Sequence, residues 1–389
     1  MKIGVLTHSG TDDNYGQILQ AFALQKYLVG KGYDVFLIKY SSDNDKSTER
    51  FVLLKNLIRF VLRIISKKRR DMHHYIKHMQ SISKDNRVKN VRRKFKEFLS
   101  ENMRLTRVYS SYQDLLSDPP KADVYIVGSD QVWNPSLNNP TTAAWYLQFG
   151  DSNIKRISYA ASIGRSIKPE EEKSFTSYLS TLDAISLREN NAFEYCKSIG
   201  VDCHLVVDPT LLASFSVYNR FITKDSVSSK PYLFLYYLNV ETKEELAWYQ
   251  LDSFIKCEDL ELKTVSSSGY YPAQSLIPGN ENDLLTIPEW LTSIYHSKYV
   301  VTTSFHGTVF ALLMHKPFVA IPLTNRYSSG NGRLTSLLKD LGLEGRMLTP
   351  DKRLDSILKT SIDWKDIDYR LANMRAASEL FLLNALNDH

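Results

Sequence analysis

Short β-branched and apolar runs alternate along the chain with segments in which apolar residues recur every three or four positions. This pattern predicts strands near residues 2–7, 34–40, 123–127, 156–160, 184–187 and 205–207, then at 232–238, 262–266, 299–303 and 318–321. Helices are predicted near 18–29, 91–99, 170–182, 244–255, 287–297, 310–314, 333–341 and 367–386. Most strand runs end in Gly, Ser, Asp, Asn or His. Alternating strands and helices, with polar residues where strands stop, imply an α/β protein with mainly parallel sheets and one functional edge. The stretch 299–322, YVVTTSFHGTVFALLMHKPFVAIP, is the clearest case. A buried strand enters a polar turn, Ser304-Phe305-His306-Gly307-Thr308, and an apolar helix leaves it. A helix start at a sheet's carboxyl edge presents backbone N–H groups and a positive dipole end to anions.

The first strand, helix and strand form a βαβ opening, but G-x-G-x-x-G is absent, so no dinucleotide fingerprint is present. A polar, Ser-rich stretch at 213–230 reads as a linker between two units. The chain of 389 residues has room for two cores, and its 43% hydrophobic content argues against global disorder. The opening MKIGVLTHSG reads directly as strand and loop rather than as a leader, and no uncharged run has the length of a membrane span. Cys196, Cys203 and Cys257 match no metal or redox spacing, which suggests a reducing cytoplasm.

Charge changes this picture locally. The net charge is +6, yet residues 50–96 hold sixteen Lys/Arg against two acids, so that segment carries +14 and the remainder −8. Within it, residues 51–65 contain eleven apolar residues with Lys55, Arg59 and Arg63 at four-residue spacing, and Lys67-Lys68-Arg69-Arg70 follows. A helix over 51–70 would set a basic stripe beside a wide apolar face. Two readings fit equally: peripheral contact with an anionic membrane, or an oligomer- or core-packing helix with a solvated basic edge. No nucleic-acid-binding module surrounds the patch. His73, His74 and His78 sit in so basic a setting that a metal ion would be repelled. No other His, Cys or Asp cluster has metal-ligand spacing.

His306 is the leading candidate for chemistry, since an imidazole at a strand-to-helix turn can transfer protons near neutral pH; the competing role is a buried or capping histidine. Arg188, just past a strand, suits bidentate binding of carboxylate or phosphate, or else an ion pair with Asp183, Glu189 or Asp208. Arg333 follows the polar loop Gly330-Asn331-Gly332 at a helix start. Asp12, Asp13, Asn14, Tyr15 and Gly16 on the first loop suit sugar hydroxyls, with Asp12 or Asp13 as a base, or else turn chemistry and helix capping. The same ambiguity holds for Gly128, Ser129, Asp130 and Gln131, while Trp133 is either a stacking platform for a sugar or a buried anchor.

Taken in order, Asn14-Tyr15-Gly16-Gln17-Ile18-Leu19-Gln20-Ala21-Phe22-Ala23-Leu24, Gly128-Ser129-Asp130-Gln131-Val132-Trp133-Asn134, Tyr159-Ala160-Ala161-Ser162-Ile163-Gly164, Leu187-Arg188-Glu189, Val207-Asp208-Pro209-Thr210-Leu211 and Thr303-Ser304-Phe305-His306-Gly307-Thr308 resemble the polysaccharide pyruvyl transferase family. The resemblance implies two Rossmann-like units facing across a cleft, of glycosyltransferase-B type: an N-terminal acceptor-side unit at 1–215 with a basic helical insertion at about 47–105, a C-terminal donor-side unit at 216–370, and a terminal helix at 371–389 packing back on the first unit. It implies transfer of pyruvate from phosphoenolpyruvate, as co-substrate and without a cofactor or metal, to a sugar of a cell-surface polysaccharide or its lipid-linked precursor. His306 and Arg188 would be catalytic, and Ser304, Gly307, Thr308 and Arg333 would hold the donor. Asp12, Asp13, Asn14, Tyr15, Gly16, Gly128, Ser129, Asp130, Gln131 and Trp133 would hold the acceptor. The expected location is the cytoplasm, at the inner face of its membrane, with oligomerisation open. Family members with shown activity often carry Arg-Leu-His where this chain has Ser304-Phe305-His306. That shifts the donor contact to Arg333 or the basic segment, and keeps two alternatives: a nucleotide-sugar glycosyltransferase, and a non-catalytic glycan-binding or assembly protein.

Overall fold

The computed structural model describes residues 1–11, 13–40, 92–135, 142–223, 229–267, 276–277, 279, 282–325 and 327–387. Asp12, the basic stretch at 51–70 and His73, His74 and His78 lie outside the described residues.

The first half of the chain forms β1 (Lys2–Leu6), α1 (Tyr15–Gly30), β2 (Asp34–Tyr40), α2 (Phe95–Asn102), β3 (Leu105–Tyr109), β4 (Val124–Val127) and β5 (Lys155–Ser158). These strands make one parallel sheet in the order β3-β2-β1-β4-β5. After α3 (Pro169–Leu179), the short parallel pair β6 (Ser186–Leu187) and β7 (His204–Leu205) flanks α4 (Asn190–Ser198). Bridges Ile157–Ala184 and Ala161–Leu187 attach this pair beside β5, extending the same sheet. α5 (Pro209–Leu212) follows. β1 and β4 are apolar and buried on both faces, as a sheet covered by helices on two sides requires.

The second half contains β8 (Tyr232–Tyr237), α6 (Trp248–Cys257), β9 (Glu261–Ser266), α7 (Ile287–His296), β10 (Tyr299–Thr302), α8 (Phe305–Leu313), β11 (Phe318–Ala320), α9 (Asn331–Asp340) and α10 (Trp364–Asn387). Its parallel sheet runs β11-β10-β8-β9. Each sheet therefore reverses its strand order once, the first between β1 and β4 and the second between β8 and β10. Crevices open at such reversals, outside the carboxyl ends of the strands.

Two helices start earlier than the apolar pattern predicted. α1 begins at Tyr15 because Asn14 caps it, accepting from the Gln17 amide at 3.3 Å. α8 begins at Phe305 because Ser304 caps it, accepting from the Gly307 amide at 3.2 Å. His306 is thus the second residue of a helix rather than part of a loop. β3 was not anticipated. It is an edge strand with partly exposed side chains and a register shift against β2, so it leaves no apolar run.

One apolar cluster runs through both halves, joining Ile18 and Phe22 of α1 to Trp290 of α7 and Phe310 of α8. Tyr15 stacks on Trp290 with ring centroids 5.1 Å apart, and its hydroxyl donates to the Leu285 carbonyl at 2.7 Å. Buried Arg93 donates to the carbonyls of Asp13 (3.1 Å) and Ser266 (2.6 Å), tying the first loop to the end of β9. The stretch expected as a linker is packed at its start, where Tyr218 is buried and donates to the Thr210 carbonyl at 3.1 Å. α10 returns to the first half: Ser378 Oγ accepts from the Val207 amide at 2.9 Å, and Phe381 and Leu382 are buried. Among the described residues, no helix is long and apolar enough to cross a membrane.

A core shared between the two sheets predicts one cooperative unfolding transition in urea, and Trp290→Ala lowers its midpoint by a loss of about 3–5 kcal/mol. Two separable transitions, followed by circular dichroism and tryptophan fluorescence, would contradict the shared core.

Candidate active site

The two strand-order reversals face each other, and a buried polar cluster fills the place where they meet. From the first half come Ser129 and Asp130 after β4, Arg188 and Glu189 after β6, and Asp208 after β7. From the second half come His306 in the first turn of α8 and Arg333 in the first turn of α9.

Asp208 is the centre. It is 1% exposed and caps α5, with Oδ1 accepting from the Thr210 amide (2.9 Å) and hydroxyl (2.6 Å). Oδ2 accepts from Arg188 Nη1 (2.6 Å) and Ser129 Oγ (2.7 Å), and lies 3.6 Å from His306 Nε2. Burial alone would raise this carboxyl's pKa. His306, Arg188 and the Thr210 hydroxyl outweigh that and hold it well below the ordinary carboxylate value.

Arg188 is held on one side only. Nη1 is taken by Asp208 and, at 3.0 Å, by Ser129 Oγ. Phe305 lies under the guanidinium, 5.0 Å from ring centroid to Cζ. Among the described residues, neither Nε nor Nη2 has a hydrogen-bond acceptor, although the side chain is only 2% exposed. Glu189 Oε2 and Asp130 Oδ1 stand off at 3.7 and 3.9 Å. Burial works against the charge on Arg188, but Asp208, Glu189 and Asp130 overcome it and raise its pKa. Arg333, from α9, has Nη1 3.7 Å from Asp130 Oδ1. Asp130 sits in the left-handed region, φ 74°, a conformation that costs a non-glycine residue about 1–3 kcal/mol and clusters at functional sites.

His306 touches both halves. Its ring packs on the Gly16 backbone so closely that any β-carbon at residue 16 would overlap the imidazole. Nε2 points to Asp208 beyond hydrogen-bond distance and is otherwise unpartnered among the described residues. Glycine at 16 is thus required by a close approach rather than by a turn.

The other expected site residues divide. Ser129, Asp130 and Gly16 belong to the cluster, as do Arg188, His306 and Arg333. Ser304 is the cap of α8, and the Gly307 and Thr308 amides are both satisfied by it, as is the Thr308 hydroxyl at 3.1 Å. The expected donor contact through Gly307 and Thr308 therefore lacks available polar atoms; Gly307 is instead needed for packing on Thr302 and Tyr236. Trp133 is 2% exposed, donates to the Trp145 carbonyl at 3.0 Å and stacks on Tyr146, so it is an anchor and offers no face to a sugar. Tyr15 is likewise buried in the shared core. Asn14 serves α1 as its cap, and the Asp13 carbonyl is bound by Arg93. Gly128 packs on Thr7, and Gln131 accepts from Asn134 at 2.8 Å. From the sequence, Asp208 and Glu189 read only as ion-pair partners of Arg188. The visible signal for Asp208 was an Asp before Pro209 just past a strand, the mark of a helix cap. Among the described residues, no group of three His, Cys, Asp or Glu could hold a metal ion.

A family model described as polysaccharide pyruvyl transferase matches residues 14–325. No curated protein matches the chain. Among solved structures, the UDP-N-acetylglucosamine 2-epimerase of Rickettsia bellii is similar over 100% of this chain and 96% of its own, at 11% identity and TM-score 0.55. The UDP-GlcNAc 2-epimerase of Methanocaldococcus jannaschii, in complex with UDP-GlcNAc and UDP, matches over 100% of both chains at 13% identity and TM-score 0.55. At these identities the likeness carries the fold alone: two Rossmann-like units of glycosyltransferase-B type.

The depressed pKa of Asp208 has a definite sign. Its stabilisation is fully present above the unfolded carboxylate value, about 4, and is lost as pH falls toward the folded value. Asp208→Asn is expected to cost roughly 3–5 kcal/mol at pH 7, because it removes the one carboxylate hydrogen-bonded to buried Arg188 among the described residues. The gap to the natural protein narrows as pH drops below about 4, as urea titrations across pH would show. A gap independent of pH would contradict this charge assignment. Gly16→Ala is expected to displace the imidazole, an outcome visible in histidine chemical shifts.

Proposed function

Because the chain belongs to the polysaccharide pyruvyl transferase family, a family of transferases, we propose that it moves the enolpyruvyl group of phosphoenolpyruvate onto two hydroxyls of one sugar, in a cell-surface polysaccharide or its lipid-linked precursor, forming a pyruvate ketal. The observation that carries this reading is the Nε/Nη2 edge of Arg188, which has no hydrogen-bond acceptor among the described residues. A buried guanidinium anchored through Nη1 presents that edge as a rigid fork, the geometry that binds a carboxylate bidentately. Arg333 adds a second cation from the other half, where a leaving phosphate needs charge. It stands in for the arginine that Ser304, spent on capping α8, does not supply.

The chemistry asks for three events: protonation of the donor's methylene carbon, attack of a sugar hydroxyl on its central carbon, and loss of phosphate. His306, an imidazole between the two halves whose Nε2 has no hydrogen-bond partner among the described residues, is suited to give the first proton. Asp208, bonded to Arg188 and facing His306, would keep the imidazolium and the carboxylate clamp in register. Ser129 and Asp130 after β4, with the Gly16 backbone at the start of α1, would line the acceptor side. A lipid-linked acceptor would bring the protein to a membrane surface, for which the basic stretch at 51–70 is suited by composition.

The test is incubation with labelled phosphoenolpyruvate and lipid-linked or polysaccharide acceptors, reading acid-labile pyruvate on the sugar together with phosphate release. His306→Ala is expected to lower kcat by about 10²–10⁴-fold, and Arg188→Lys to raise KM for phosphoenolpyruvate more than it lowers kcat, since lysine lacks the fork. Full turnover by His306→Ala would overturn the assignment. Release of a nucleotide from a sugar-nucleotide donor would place the chain with glycosyltransferases instead. Glycan binding without affinity for either donor would make it a non-catalytic binding protein.

A further inference from the structure

Besides Arg188 and His306, the polar cluster contains a third group without a hydrogen-bond partner among the described residues, and its charge is opposite to that of Arg188. Glu189 is 2% exposed, yet its two oxygens are treated differently. Oε1 accepts from Ser162 Oγ (2.6 Å), the Ile163 amide (3.1 Å) and the Gly164 amide (3.5 Å). These three donors come from the small-residue turn after β5 and fix the plane of the carboxylate. Oε2 has no hydrogen-bond donor among the described residues. Its nearest cationic atom, Arg188 Nε, is 3.7 Å away, beyond hydrogen bonding. A carboxylate present only to neutralise Arg188 would close on it, as Asp208 does at 2.6 Å. Glu189 stays back with one oxygen fully satisfied and the other open beside the same Nε/Nη2 edge. A buried carboxylate oxygen without a donor is costly unless something that donates arrives.

The other carboxylates of the cluster are less suited to accept a proton. Asp208 has both oxygens engaged and is held well below the ordinary carboxylate range. Asp130 is also held low: burial opposes this, but Arg188, His8 and Arg333 outweigh it.

We propose that Glu189 is the base that receives the proton of the attacking acceptor hydroxyl. This rests on the pyruvyl-transfer reading above. In the first step the hydroxyl oxygen bonds to the central carbon of the enol phosphate, its proton passes to Glu189 Oε2, and the carbon–carbon π pair takes a proton from the His306 imidazolium at the methylene carbon. In the second, the bond from the central carbon to the phosphate oxygen breaks, its electron pair leaves with the phosphate, and Glu189 returns its proton to that phosphate. The second sugar hydroxyl then adds to the same carbon and gives its proton to His306. The products are the ketal and hydrogen phosphate, and both side chains end as they began.

Glu189→Gln tests this, because the amide keeps an oxygen to accept from Ser162 and the two backbone amides but supplies no base. Three quantities are compared with the natural protein: kcat for ketal formation, its pH profile, and phosphoenolpyruvate affinity by calorimetry. The expected result is a kcat lower by about 10²–10⁴-fold, affinity for phosphoenolpyruvate within about threefold, and disappearance of the fall in rate on the acid side. Glu189→Asp, a shorter base, is expected to retain part of the rate and the acid-side fall, and it serves alone if the glutamine variant does not fold. A Glu189→Gln enzyme with unchanged kcat and an intact acid-side fall would overturn the assignment. Loss of phosphoenolpyruvate affinity in proportion to kcat would also overturn it, because Glu189 would then act by holding Arg188. An Asp variant without any acid-side fall would count against a proton-accepting role in the same way. If the natural protein makes no ketal at all, the pyruvyl-transfer reading fails and takes this role with it, an outcome distinct from failure of Glu189 alone.

Discussion

The carboxylate of Asp208 carries more of the site than any other group. One buried oxygen receives Arg188 and Ser129 and faces His306, while the other caps α5 through Thr210. A charge buried this deeply is tolerated only when opposite charge and hydrogen bonds surround it. Its partners come from different strands and from both halves of the chain. The bonds that make Asp208 tolerable therefore also bring Arg188 and His306 together. Among the described residues, Arg188 Nε and Nη2, His306 Nε2 and Glu189 Oε2 remain without hydrogen-bond partners around it, and these are the atoms that the proposed function gives to a donor carboxylate and an acceptor hydroxyl.

The backbone makes this convergence possible. Each parallel sheet reverses strand order once, and each reversal delivers side chains to its carboxyl edge. The halves are held face to face by a shared apolar core rather than by polar contacts alone. Trp290 stacked on Tyr15, and Arg93 bridging Asp13 to Ser266, fix the distance between the reversals. Gly16 then sets how near His306 may come, since only a residue without a β-carbon admits the ring there.

Most of the architecture is legible in the amino-acid sequence because fully buried parallel strands, such as Tyr232–Tyr237, leave continuous apolar runs. β3 is not legible, because an edge strand needs no such run. His306, Arg188 and Arg333 stand out as charged residues at strand or helix ends, and the structure gathers them. Ser304, Gly307, Thr308 and Trp133 stand in the same polar turns, but their polar atoms are consumed locally by a cap, a helix and a carbonyl of Trp145. Sequence spacing locates a turn and cannot say which of its atoms remain unbonded. Glu189 shows the converse. Beside Arg188 it reads as a salt-bridge partner, and only the structure shows three donors on Oε1 and, among the described residues, none on Oε2.

In the proposed function this cluster binds a carboxylate-bearing enol phosphate. A crystal structure of the protein soaked with phosphoenolpyruvate tests it most directly. The carboxylate is expected on the Nε/Nη2 edge of Arg188, the phosphate toward Arg333 and the methylene carbon beside His306. Phosphoenolpyruvate lying elsewhere, or held without Arg188, would contradict it.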